Sequence, residues 1–106
     1  MNEKISKVLS DIGIENFYLT REDYQDECVV YNYISNPLYY ADNEEKAREY
    51  TILLNVYSKE KIDFKNEKIR KAMLNAGFRG GRVQVPIQVE NGFFNTAISF
   101  KGYLRS

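Results

Sequence analysis

The sequence predicts an α+β domain: a single antiparallel sheet with two helices packed on one face, in the order α-(β)-β-β-α-β-β. Three observations predict it. Tyr50-Thr-Ile-Leu-Leu-Asn-Val-Tyr57 alternates with period two and carries no charge, as a central strand does. Ile5, Val8, Leu9 and Ile12 fall on one helical face. Asn91-Gly92, flanked by alternating apolar residues, is a strong hairpin signal.

Taken in order, residues 2–12 read as a helix, with Asn2 at its start and Gly13 past its end. Ile14 to Thr20 reads as a short strand. Arg21 to Glu27 reads as a solvated acidic loop. Its four carboxylates lack the glycine and the spacing of a calcium loop. Cys28 to Ile34 is the next strand, and Pro37 argues against continuing its pairing. Residues 28–35 and 47–58 then form an antiparallel pair joined by a long, tyrosine-tipped loop. A loop of roughly a dozen residues in a small domain points to function.

Beyond the central strand, Asp63 reads as the cap of a second helix and Gly77 as its end. Ile69, Ala72, Met73 and Ala76 mark its inner face; Lys65, Lys68, Arg70 and Lys71 lie outside it. Val83, Val85, Ile87 and Val89 alternate into the turn, and Phe94, Thr96, Ile98 and Phe100 alternate out of it. A turn centred on Asn91-Gly92 sets Val83 opposite Phe100 and Val89 opposite Phe94, all on one face. Pro86 then falls where an N–H is required. This implies a longer loop or a bulge, and an edge or broken strand.

With 106 residues, 43% hydrophobic and 28% charged, the chain reads as one folded domain spanning 1–106. It has no apolar run long enough for a membrane span and no signal-peptide core at its N-terminus. Those features predict a cytoplasmic protein. The chain contains no histidine and a single cysteine, Cys28. That removes histidine-based triads, imidazole bases and histidine-liganded zinc. Cys28 reads as a small buried hydrophobe. No catalytic residue, cofactor site or metal site is assigned, and an enzyme using carboxylates or Cys28 is the weakest reading.

Net charge is zero, but residues 1–49 hold 5 Lys/Arg against 11 Asp/Glu, while residues 50–106 hold 10 against 4. Opposite halves favour head-to-tail contact between copies, unless the two sets neutralise each other inside one fold. Nine tyrosines and six phenylalanines supply stiff contact area of the kind enriched at interfaces. The candidate interface residues are Tyr39, Tyr40, Asp42, Glu44 and Glu45 in the loop, and Lys65, Lys68, Arg70 and Lys71 on the basic helix.

The run Val29-Val-Tyr-Asn-Tyr-Ile34, then Pro37, Tyr40-Ala-Asp42, Tyr50 to Lys59, and a basic helix ending Ala76-Gly-Phe78 resembles the tail completion (tail-to-head joining, minor tail) proteins of long-tailed bacteriophages and prophages. The resemblance covers most of the chain. It implies an α+β subunit without catalysis that forms a ring, hexameric in form, at the head-proximal end of the tail tube. Its partners would be copies of itself and tail-tube or connector proteins. It would reside in the bacterial cytoplasm before assembly and in the virion tail or neck afterwards. A head-completion or stopper role is a close variant. The alternative from a different class is a nucleic-acid-binding module using the basic stretch 59–82. Glu60, Asp63 and Glu67 interrupt that stretch, and a neutral whole argues against it.

Overall fold

The computed structural model describes residues 1–41 and 44–105; stretches 38–41 and 44–46 and residue 105 are described by their main chain alone. The element order is α1 (Asn2–Asp11), β1 (Asn16–Tyr18), β2 (Cys28–Ala41), β3 (Glu44–Ser58), α2 (Ile62–Asn75), β4 (Arg79–Val83), β5 (Ile87–Gln88), a 3-10 turn (Glu90–Gly92) and β6 (Phe94–Arg105). The strands form one sheet in the order β1-β2-β3-β6-β4, with β5 also on β6. Both helices pack on one face, so the α+β class and its layers are as predicted. The sheet is mixed rather than wholly antiparallel, because β1 runs parallel to β2.

Strand β3 organises the core. Its residues Ile52, Leu54 and Val56 are buried under Ile5 and Leu9 of α1 and Ile69 and Met73 of α2. Val29 and Tyr31 from β2, Phe78 after α2, and Ile98 and Phe100 from β6 complete the same cluster. Each large apolar side chain removed from water here contributes about 1.5–3 kcal/mol. Asn66, which continues the inner stripe of Ile69 and Met73, is buried too; its Nδ2 donates to Thr96 Oγ1 at 3.0 Å and ties α2 to β6.

Several helix and strand ends differ from the sequence reading. Asn2 does not cap α1. Met1 stands at the cap position, and Asn2 Oδ1 accepts the Tyr31 hydroxyl instead. Nor does Asp63 cap α2. The cap position falls two residues earlier, at Lys61, held at φ 53°, and Asp63 sits exposed in the first turn, where its charge faces the positive helix end.

The predicted loop between residues 35 and 47 is strand instead, up to the tip. Pairing of β2 with β3 continues through Pro37↔Arg48 to Ala41↔Glu44, with irregularities around Tyr39. The reason lies in the direction of the main chain. Val29 N–H bonds Glu15 C=O and Leu19 N–H bonds Tyr31 C=O, both towards β1. By alternation the odd residues of β2 face its outer edge, Pro37 included. Its missing N–H is therefore never needed by β3. The result is a long β2–β3 arm, flanked by β6 as far as Ala47↔Arg105 and two-stranded beyond it. The molecule measures 53 × 26 × 24 Å, and its radius of gyration of 14.8 Å exceeds the value of about 13 Å for a compact chain of this size.

The last hairpin turns where predicted but in another register. Phe93 N–H bonds Glu90 C=O, and Asn91 and Gly92 both have positive φ, at 60° and 77°, as a tight primed turn requires. Then Val89, not Glu90, donates to Phe93 C=O, so one extra residue bulges out. Further along, Ile87 pairs with Asn95, Val83 with Ile98 and Gly80 with Phe100. The register slips by one residue at Glu90, again across Val85-Pro86 and again at Gly81. Ile87, level with Asn95, consequently leaves the core face; Val83 stays level with buried Ile98 but is exposed at the sheet edge, as is Val85. Pro86 lies in the break between β4 and β5 at the sheet edge, as a residue without an N–H should.

Leu54→Ala, at a fully buried site on the central strand, is expected to lower unfolding free energy in urea by about 2–5 kcal/mol. Val85→Ala, exposed on the edge arm, is expected to change it by less than about 0.5 kcal/mol.

Candidate functional site

Of the nine candidate interface residues, Asp42 lies outside the described residues. Tyr39, Tyr40, Glu44 and Glu45 sit near the tip of the arm on paired main chain, Tyr40 opposite Glu45; their side chains lie outside the description. On α2 the four cations divide. Lys65 pairs with Glu27 across the start of β2. Arg70 donates to Gly81 C=O at 3.0 Å and to Glu67 Oε1 at 3.0 Å. Lys68 and Lys71 are exposed. The structure therefore gathers the arm residues at one end of the molecule and the helix residues elsewhere, and engages two of the latter in the fold.

Glu27, which the sequence placed in a solvated loop, is the residue that fastens that loop. Its Oε2 accepts from Lys65 Nζ and from the Lys59 main-chain N–H at 2.8 Å. Partial burial pushes the Glu27 carboxyl up, but the hydrogen bonds from Lys65, Lys59 and Glu60 and the charge of Lys65 outweigh it and hold it below the usual carboxylate range. The rest of the segment behaves as read: Glu22, Asp23 and Asp26 are exposed. Arg21 folds back over Tyr57, with its guanidinium carbon 4.3 Å from the ring centre, and anchors the segment on the helix-free face.

Beside this pair, an open cleft of about 410 Å³ runs between α2 and the ends of β2 and β3, with Tyr24, Cys28, Ser58, Phe64 and Lys68 among its walls. Cys28 is buried. Burial pushes its thiol up, Arg21 pulls it partly back, and the Glu15 and Asp26 carboxylates raise it again. The thiol stays protonated near neutral pH and is a poor nucleophile. Among the described residues no group of three His, Cys, Asp or Glu is placed to hold a metal ion, and no helix is long and apolar enough to cross a membrane.

The surplus tyrosine has a location. Tyr18 packs on Tyr31 and Tyr33, and Tyr33 on Tyr50, with ring centres 5.3–5.7 Å apart. This ladder runs from the sheet edge across β2 to β3, on the helix face where the arm begins. Burial, and after it the neighbouring phenols, push the pKa values of Tyr31 and Tyr33 up. The rings therefore remain neutral and present apolar faces with hydroxyl tips. Tyr18 is exposed at the outer end of the row.

Charge is partly cancelled inside the fold. Glu27–Lys65 and Glu49–Lys101 each join the acidic half of the sequence to the basic half. Unpaired charge remains at the two ends of the sheet: Glu22 and Asp23 follow β1, and Arg79 and Arg82 lie exposed on β4. The sequence matches no protein-family model and no curated protein.

Glu27 gives a pH dependence with a defined sign. A carboxyl whose folded-state value is lowered adds stability above its unfolded value, near 4.3, and loses it as pH falls through the lower folded value. Glu27→Gln is expected to cost about 1 kcal/mol at pH 7, the figure being reduced for partial exposure, and to flatten the acid limb of the stability curve. Equal stability of variant and parent at pH 7 and pH 3 would show the pair to be idle. Cys28 is expected to react with a thiol reagent only after unfolding; stoichiometric labelling of the native protein would contradict its burial.

Proposed function

We propose that this chain is a structural subunit of a bacteriophage or prophage tail: a tail completion or head–tail joining protein that acts by contact, assembling with copies of itself in a ring at the end of the tail tube. The observation that carries the reading is the arm. Two strands of 14 and 15 residues and the end of β6 continue past the helical layer, whose helices touch β3 through Ile52, Leu54 and Val56. Stability resides at one end, leaving the other free to meet a partner. Its tip carries Tyr39, Tyr40, Glu44 and Glu45, residue types suited to a contact with a polar rim.

The resemblance to tail completion proteins supplies the identity of that partner: a tail-tube or connector protein. The nucleic-acid reading has less material. Lys65 and Arg70 are committed to Glu27, Glu67 and Gly81. The exposed cations of the stretch, Lys59, Lys61, Lys68, Lys71, Arg79 and Arg82, are interrupted by Glu60, Asp63 and Glu67 on a chain of zero net charge, unlike the clearly basic surface of a nucleic-acid-binding domain.

The test is co-assembly with the tail-tube protein, read by native mass and by electron microscopy of tube ends. A variant with residues 38–45 replaced by a tight turn is expected to fold, because the core lies elsewhere, and to lose attachment to tube ends at least tenfold. Attachment undiminished in that variant, or absent from the parent protein, would overturn the reading.

A further inference from the structure

The two edges of the sheet match each other. Tyr18 is level with Tyr31, Tyr31 with Leu54, Leu54 with Ile98, and Ile98 with Val83. Tyr18 and Val83 are thus opposite ends of one row that crosses the whole sheet, and both are exposed.

Their main chains match as well. Leu19 N–H and Glu15 C=O bond inward to β2, so Tyr18 between them turns its N–H outward. Gln84 N–H bonds inward to Ala97 C=O, so Val83 turns its N–H outward. Strand directions agree too: β1 is parallel to β2, while β4 is antiparallel to β6 and hence to β2. A β4 laid beside the β1 of another copy would be antiparallel, the more stable sense.

The flanking residues complement one another. Leu19 (62% exposed) and Ile34 (65%) lie along one edge, and Val85 (79%) and Ile87 (66%) along the other. Glu22 and Asp23 follow Leu19; Arg79 and Arg82 both precede Val83 on β4. Each edge is therefore apolar at its centre, with opposite charge beside it.

We infer that β4 of one copy pairs with β1 of the next, Val83 opposite Tyr18, as a head-to-tail contact between copies of this chain. The partner of each edge is the other edge of an identical molecule. Such a contact is heterologous, and repeated copies close into a ring or continue as a fibre. The inference rests on the reading of the chain as a ring subunit and names the surface through which the ring would form.

Cysteines opposite each other at such a paired position have main-chain separations suited to a disulfide. Tyr18→Cys and Val83→Cys proteins, mixed at high concentration and oxidised, are expected to give a covalent dimer, while each alone stays uncrosslinked; Cys28 is buried and does not compete. The double variant is expected to give a ladder of dimers, trimers and larger species. Crosslinking of Tyr18→Cys alone, or of Val83→Cys alone, as readily as the mixture would show each edge meeting itself and overturn the inference. So would no crosslinking in the mixture.

Charge reversal separates this contact from non-specific collision. Glu22→Lys/Asp23→Lys and Arg79→Glu/Arg82→Glu, each built into the double-cysteine protein, are expected to lower crosslinking at least tenfold at low salt. Mixing the two is expected to restore it, because each variant's changed edge then meets its complement; mixing without restoration counts against the inference. Copies that crosslink in this way but never attach to tail tubes would refute the tail assignment and leave the contact standing.

Discussion

The hydrogen-bond ladder on both sides of β3 is the constraint on which the rest depends. Its even residues point Ile52, Leu54 and Val56 into the core and turn their main chain towards β6. Its odd residues, such as Leu53 and Asn55, occupy the helix-free face and turn theirs towards β2. One parity therefore decides both what is buried and which neighbour is bonded. A slip of one residue would bring Thr51, Leu53 and Asn55 under the helices, and the alternation of the strand makes that costly. The same parity, passed to β2, leaves Pro37 facing outward, and so the arm can extend.

Much of this was legible from residue spacing. Alternation located β3, helical spacing located α1 and α2, and Asn91-Gly92 located the turn, because each is a local preference that the tertiary structure does not oppose. The misreadings arose where a local rule needed non-local information. Proline breaks a ladder only if its nitrogen faces the partner strand, and that direction depends on which side of β2 carries β1. The alternation of Val83, Val85 and Ile87 looked like a buried face, but three bulges accumulate along this edge. Gly81 shows why they were hidden. Its φ is +74°, Arg70 donates to its carbonyl, and an added Cβ would stand 3.2 Å from the Arg70 side chain. That contact between α2 and β4 leaves no periodic trace in the sequence.

The candidate interface was legible in kind more than in place. The acidic and basic halves were visible from composition, but composition could not show that Glu27 and Glu49 are joined to Lys65 and Lys101. Nor could it show that Asn66 is buried, although its spacing from Ile69 and Met73 offered a clue. Surplus tyrosine pointed to contact surfaces, and part of it forms the ladder that backs the β1 edge. Tyr18 thus has a dual position, packed against the ladder on its inner side and open to solvent on its outer side.

The two edges of the sheet are finished differently, and that difference bears on how copies could join. The β4–β5 edge is bulged and broken by Pro86, which twists it and limits the length available for pairing. The β1 edge is limited from the other side. Leu19 takes a left-handed conformation, φ 70°, and the chain leaves the sheet after three residues of strand. Each of these two strands therefore offers a short segment, too short to template an indefinite flat stack. A twisted sheet turns by roughly 20–25° from strand to strand, so copies joined edge to edge are rotated as well as translated. Short, rotated, charge-matched contacts favour a curved assembly over a flat one, and curvature is the geometric precondition of a closed ring. With the row from Tyr18 to Val83 running around such a ring, the strands would lie along its axis. The arms, which extend along the strands, would then project together from one rim, where a single docking partner could meet all of them at once.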